Sequence, residues 1–473
     1  FDGITYAKGA SVLKQLVYYV GREKFFQGIN QYLNKYAYSN ATLADLLHEL
    51  EKASGRDLKA WSAKWLEESG INTIATEVEE NADGTIASLT LNQTAPAEHP
   101  VLRPHRLAVG FYDEDPATGK IVRTDRFELD VDGKSTVVAA AAGKKRPAFI
   151  LVNDDDLTYT KLRFDADSLS FALANLQHFD DALARAVVWL SLWDMTRDGD
   201  LAAEKFIDTT LALLATETES TTFRYALSCM STTAWHYTAP DRRADVVKHV
   251  AKELWKLVIA APGGSDQQFQ LVTAYLGYGE EGDAEFAEHA QGLFDGSLIV
   301  VGLEIDNNFT WTIINALSSV KLIDQAGIDA QLAKRDTTEN REFALGAHAV
   351  RGDAAAKEWA WNEALNNADL TNMQLEAVAR GFGATPRPDL AEPYAAKYYD
   401  VVDWVWKNKS FHMAEALLEG LYPYYADPAT LVELGHRWLA DHEDADNALK
   451  RIVRGNVESS QRTLKVRDFN AAL

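Results

Sequence analysis

The sequence predicts a multidomain, mostly α-helical protein: a short helical unit, a small antiparallel β-sandwich, and then a large α-helical solenoid, a superhelix of the HEAT or armadillo kind. Three observations carry this. The chain has 473 residues, more than one ordinary domain uses. Apolar residues recur at helical spacing before Ile74 and again after Ser168, whereas between Ile74 and Phe164 the spacing falls to two. The expected divisions are therefore residues 1–72, 73–165 and 166–473.

The first helix opens at a Tyr6-x-Lys8-Gly9 step and runs through Ala10, Leu13, Leu16, Val17 and Val20. This places Tyr6 at a helix entrance, with its phenol able to point into a cleft; the alternative is a tyrosine that only packs a helix start. Gly21 breaks the run, and Phe25, Phe26, Ile29, Tyr32, Leu33 and Tyr36 give the apolar face of a second helix. Thr42 followed by Asp45 reads as the cap of a third, with Leu43, Leu46, Leu47 and Leu50 inward and Gly55 at its end. Asp57 caps a fourth, whose Leu58, Trp61, Trp65 and Leu66 face inward until Ser69-Gly70.

In the middle region Leu107, Val109 and Phe111 alternate with Ala108 and Gly110, and Phe127, Leu129 and Val131 alternate with Glu128 and Asp130. Asp83-Gly84 and Asp132-Gly133 have hairpin-turn chemistry. With the apolar run Phe149 to Val152 and a strand within Thr158 to Phe164, about seven short strands are expected, the pattern of a small sandwich. Beyond Ser168 helix-sized segments are separated by clusters such as Ala261-Pro262-Gly263-Gly264 and Ala384-Thr385-Pro386-Arg387-Pro388. No fixed repeat period is present, which leaves irregular helical hairpins as the architecture.

Lys and Arg total 47 against 70 Asp and Glu, a formal net charge of −23. Such a surface repels nucleic acid and anionic membranes, so neither is expected as a partner. It suits cationic ligands such as a peptide's free amino terminus, and equally serves solubility. The single cysteine, Cys229, lies in an apolar run and can form no disulfide within the chain, which fits a reducing, cytoplasmic compartment. The chain starts at Phe1, directly in a patterned motif, and is read as a C-terminal segment.

The Tyr6-x-Lys8-Gly9 string resembles the segment that zinc aminopeptidases of the aminopeptidase N type, gluzincin peptidases, carry downstream of their metal motif. The likeness extends to the Gly55-Arg56-Asp57-Leu58 turn and the paired Trp61 and Trp65, which resemble the helical end of that family's thermolysin-like catalytic domain. It continues through Leu151 to Lys161 and Asp181 to Asp198, which look like the helical domain of actinobacterial members. The resemblance implies a metalloaminopeptidase that removes residues from the free amino end of peptides. In it Tyr6 is the catalytic residue, donating a hydrogen bond to the oxygen of the tetrahedral intermediate. A phenol suits that task because it stays protonated at neutral pH.

The zinc such an enzyme uses needs a His-Glu-x-x-His helix and a further glutamate. None of the eleven histidines supplies it: His48-Glu49 is followed by Lys52, and His442-Glu443 by Asp444, Ala445 and Asp446. No Gly-x-Met-x-Asn strand is present either. Both features lie upstream of the tyrosine in the family, so the zinc ligands and the rest of the catalytic portion are expected there, and this segment alone is expected to be inactive. Asn153-Asp154-Asp155-Asp156 lacks the glycine and distant glutamate of a calcium loop and reads as a solvated turn, and Lys144-Lys145-Arg146 reads as local solvation. Phosphate-binding glycine loops and a Gly-x-Ser-x-Gly elbow are absent. The rival reading is a non-enzymatic helical scaffold that binds peptides or proteins.

Overall fold

The computed structural model describes residues 4–473, with side chains from Tyr6 onward; Phe1-Asp2-Gly3 of the opening string lies outside the described residues. The fold is mostly helical with two small sheets, and it divides into two compact units, Phe1–Met195 and Thr196–Leu473.

The first unit opens with a widened helical turn, Ile4–Lys8, that runs directly into α1 (Gly9–Val20). Helix α1 buries Val12, Gln15, Leu16 and Val20. The expected face is therefore rotated: Ala10 lies at the surface and Leu13 is 57% exposed, because polar Gln15 is drawn inward to serve a distant loop. Gly21, at φ +91°, ends α1 by donating its N–H to Val17 O and releases the chain into α2 (Arg22–Lys35). That helix, too, turns differently from expectation. Phe26 and Leu33 are exposed, and its fully buried residue is Gly28. A Cβ there would lie 3.1 Å from Leu50 Cα and 3.2 Å from Glu49 O, so the absence of a side chain sets how closely α2 and α3 (Leu43–Ser54) approach.

The cap of α3 forms as its residues suggest: Asp45 N–H donates to Thr42 Oγ1 and Thr42 N–H to Asp45 Oδ2, a reciprocal capping box. Leu43 at its first turn is exposed, while Leu47 and Leu50 are buried. The Asp57 carboxylate accepts from Ala60 N–H to start α4 (Leu58–Ser62), which buries Leu58 and Trp61; Trp65 follows them inward, whereas Leu66 points outward.

Seven strands follow: β1 (Thr73–Glu80), β2 (Ile86–Thr94), β3 (His105–Glu114), β4 (Ile121–Val131), β5 (Ser135–Val137), β6 (Phe149–Val152) and β7 (Lys161–Arg163). They form one sheet in the order β5-β2-β1-β7 and a second in the order β4-β3-β6. All pairs are antiparallel except β1 with β7, which run parallel from Thr73 opposite Lys161. This corrects the all-antiparallel expectation: after β6 the chain crosses to the free edge of β1 and enters it in the same direction. Asp83-Gly84 does close the β1–β2 hairpin. Asp132-Gly133, by contrast, carries the chain from one sheet to the other, and the β3–β4 hairpin is made at Asp115 to Lys120, with Gly119 at φ +69°. Ile74, Leu89, Leu91, Leu107, Val109 and Leu151 are wholly buried in the sandwich region. Helices α5 (Ala166–Asn175) and α6 (Ala182–Asp198) follow the strands.

In the second unit fifteen further helices occur among the described residues: α7 (Ala203–Leu214), α8 (Ser220–Thr232), α9 (Arg243–Ala260), α10 (Asp266–Tyr275), α11 (Ala284–Asp295), α12 (Asn307–Ser319), α13 (Gln325–Lys334), α14 (Thr338–Ala349), α15 (Ala354–Asn366), α16 (Asn372–Gly383), α17 (Pro388–Ala391), α18 (Ala395–Asn408), α19 (Phe411–Gly420), α20 (Pro428–Asp441) and α21 (Asn447–Ala471). Asp and Thr side chains cap many of them, including Asp306, Thr337, Asp353 and Thr371. Helix α21 buries a polar stripe of Asn456, Ser460, Thr463, Arg467 and Asn470. Asn456 donates to Leu418 O, Ser460 meets the Tyr422 hydroxyl, and Asn470 Oδ1 accepts from Ala203 N–H at 2.8 Å. These bonds fasten the last helix to the first helix of its own unit. Cys229 is buried in α8, as its apolar surroundings suggest.

Candidate functional site

Tyr6 lies in the turn that leads into α1 and is 67% exposed, so the residue is not sealed in the core. What holds this position is the anchoring of α1. Nine residues along, Gln15 is 3% exposed, and its Oε1 accepts from Tyr159 N–H and Thr158 Oγ1, each at 2.9 Å. Thr158 Oγ1 is in turn 2.7 Å from His105 Nδ1, and His105 Nε2 is 3.0 Å from Gln93 Oε1. Burial, and then the nearby Arg103 charge, push the His105 pKa down to about 3, so the ring is neutral at physiological pH. The result is a buried polar chain running from the middle of the sandwich to the helix that carries Tyr6.

A second clamp comes from the Asn153 to Asp156 turn, whose Asn153, Asp155 and Asp156 all have positive φ. Asn153 makes this possible: its Oδ1 accepts from Leu157 and Thr158 N–H groups, and its Nδ2 donates to Thr158 O. The turn is only partly solvated: Asp155 and Asp156 keep solvent-exposed carboxylates, but Asn153 and Asp154 are buried. Asp154 is 1% exposed and accepts from the Tyr112 hydroxyl at 2.6 Å and Arg123 at 2.7 Å. Asp155 pairs with Arg123 and Arg126, whose hydrogen bonds hold its carboxyl below the usual range against the cost of burial, and Asp156 pairs with Lys14 of α1 at 3.2 Å. Every carboxylate of the turn thus has a cationic partner, and the cluster is a clamp on α1 rather than a cation site. The basic run beside it is likewise paired: Lys144 with Asp125, and Arg146 with Glu80 and Asp165.

Arg103 completes the frame. Its guanidinium donates to the carbonyls of Lys64, Glu68 and Ser69 at the end of the α4 region, while Trp65 donates to Pro104 O and sets its ring edge-on to His105. The helical segment and the sandwich of this unit are thereby joined. Sequence reasoning placed Tyr6 at a helix entrance, as the structure does, but missed Gln15 and His105 and read Asp154 as part of a solvated turn, since each acts through partners far along the chain.

Among the described residues no group of three His, Cys, Asp or Glu side chains is placed to hold a metal ion, so these residues do not fit the zinc that the resemblance implies. No described helix is long and apolar enough to cross a membrane.

Residues 149–462 match the model of the ERAP1-like C-terminal domain. The chain belongs to this ERAP1-like C-terminal domain family. The region before it also matches a peptidase: residues 1–65, which contain Tyr6 and α1, fit the peptidase family M1 domain. Over its whole length the chain is 38% identical to aminopeptidase N of Streptomyces lividans, of which it spans 55%. It is 32% identical over 184 residues to the mitochondrial aminopeptidase 2 of Saccharomyces cerevisiae, covering 36% of this chain and 18% of that protein. A probable aminopeptidase 1 of Sulfurisphaera tokodaii shares 42% identity over 79 residues, 17% of this chain and 10% of its own. An ERAP1-like C-terminal domain following an M1 segment is thus the arrangement of this chain, and its resemblance is to hydrolases of the M1 aminopeptidase type.

Proposed function

We propose that this chain is the C-terminal portion of a cytosolic M1 aminopeptidase that releases residues from the free amino end of peptides, with Tyr6 as the one catalytic residue the portion contributes. The observation that carries the reading is the whole-chain identity to an aminopeptidase N combined with an exposed Tyr6 on an anchored helix. In this role the phenol donates its proton in a hydrogen bond to the carbonyl oxygen of the scissile peptide as that oxygen gains negative charge. A donor gains most when it is already in place, and the buried bonds of Gln15 with Thr158 and Tyr159 supply that placement.

No step through a metal ion follows from these residues; the zinc ligands belong, in this reading, to sequence upstream. The division into the end of a thermolysin-like catalytic domain (1–72), a β-sandwich (73–165) and a helical superhelix (166–473) is part of the same proposal. The expected outcome is that the intact protein hydrolyses a fluorogenic alanine amide, loses that activity to a chelator and regains it with zinc, while the 473-residue segment alone shows none. An intact protein without chelator-sensitive hydrolysis would instead favour the helical scaffold, and zinc-dependent turnover by the segment alone would contradict the assignment of the metal site upstream.

A further inference from the structure

In the unit Thr196–Leu473 the last turns of α16 and α19 meet through residues that have almost no side chain. A Cβ on Gly420 would lie 2.7 Å from Ala379 Cβ and 2.9 Å from Ala379 C, and a Cβ on Gly383 would lie 2.6 Å from Gly420 O. Nearer the starts of the two helices, His412 Nε2 stands 2.9 Å from Glu376 Oε1. The helices therefore lie side by side and run the same way, α16 from Glu376 to Gly383 against α19 from His412 to Gly420. Helical spacing puts Arg380 one turn beyond Glu376 on one wall, and Glu415 and Glu419 one and two turns beyond His412 on the other. Between the walls Gly383, Ala384, Ala416 and Gly420 line a cavity of about 530 Å³. Arg380, Glu415 and Glu419 line the same cavity.

The charges of this cleft are of both signs, and three of them stand unanswered. Glu376 is engaged with His412. Among the described residues Arg380, Glu415 and Glu419 make no salt bridge and no side-chain hydrogen bond. Glu419 reaches the surface, yet enclosure of its carboxyl, and then the charge of Glu415, push its pKa up; the charge of Arg451 opposes this without a salt bridge. Two carboxylates four residues apart on one helix face repel each other, and a cation placed between them removes that repulsion. An anion facing Arg380 answers the other wall. A molecule with one positive and one negative end satisfies both walls at once. A bare metal ion does not, and among the described residues no group of three metal-ligating side chains is placed to hold one.

We propose that the cleft between α16 and α19 binds a small zwitterion, an amino acid or a dipeptide, with its ammonium group between Glu415 and Glu419 and its carboxylate on Arg380. An ammonium has three N–H donors to share between two carboxylates, and the guanidinium fork matches the two oxygens of a carboxylate. The glycine and alanine floor leaves the space for the carbon skeleton that joins the two ends. The site is independent of the peptidase reading, since it uses no residue of the first unit.

The test is calorimetric titration of the intact protein with L-alanine and, separately, D-alanyl-D-alanine, with ethylamine and propionate as single-charge controls at equal ionic strength. The double variant Glu415→Gln/Glu419→Gln isolates the cleft, because binding at any other site persists in it. At least one zwitterion is expected to bind saturably, and the tighter of the two tells whether an amino acid or a dipeptide is taken. Ethylamine and propionate, each able to answer one wall only, are expected to bind about tenfold more weakly or worse. The double variant, and separately Arg380→Met, are each expected to weaken zwitterion binding by about tenfold or more. Should the double variant fail to fold, Arg380→Met, at an exposed position, carries the test. No saturable binding of either zwitterion would overturn the proposal, as would undiminished binding in the folded variants. Ethylamine bound as tightly as the zwitterions would overturn it too, leaving a site for a cation alone.

Discussion

His105 shows how one side chain can record the packing around it. It is 1% exposed, edge-on to Trp65, near the charge of Arg103 and in hydrogen-bond contact with Thr158 and Gln93. Its pKa falls from an ordinary 6.5 to about 3 in the folded state. The unfolded chain therefore binds a proton in the window between these values that the folded chain refuses, so stability is fully present above pH 6.5 and is lost as pH falls toward 3. Between neutrality and pH 5.5, before most carboxylates titrate, this one group is expected to remove about 1 kcal/mol. Urea midpoints measured at both pH values check it: His105→Gln should lower overall stability yet flatten the pH dependence by that amount, and an unchanged slope would show that the ring is not held neutral.

At the scale of elements, α2 approaches α3 closely at Gly28. Alanine there gains helix propensity of about 1 kcal/mol, but its Cβ would meet the backbone of Leu50 at 3.1 Å and that of Glu49 at 3.2 Å. Backbone cannot swing aside as a side-chain tip can, so overpacking is expected to win, with Gly28→Ala destabilising by about 1–2 kcal/mol in denaturant unfolding; a stabilised variant would mean that the two helices stand further apart. These elements also show what was legible beforehand. Helix existence and caps followed from local chemistry, as with Thr42 and Asp45 or Asp57. Helix faces did not, because apolar residues lie on more than one side of α1 and α2, and Leu13, Phe26 and Leu33 remain exposed. Nor did the parallel β1–β7 pair, whose partners are joined only through the intervening strands. The Asp154 turn looked solvated because its partners Tyr112 and Arg123 are 42 and 31 residues away.

For the molecule as a whole, the strand-rich middle and the helical remainder were visible in spacing alone, and the family in short strings at Tyr6, Gly55 and Leu151, all within segments that the family comparisons match. The anchoring that gives Tyr6 its place was not visible, since Gln15 and Thr158 meet across 143 residues. The central claim is that the exposed phenol of Tyr6 stabilises charge developing on a peptide carbonyl. Tyr6→Phe in the intact protein deletes only the hydroxyl, and steady-state kinetics on an alanine amide read the consequence. The account predicts a fall in kcat of about a hundredfold or more with KM little changed; a fall of less than about tenfold would contradict it.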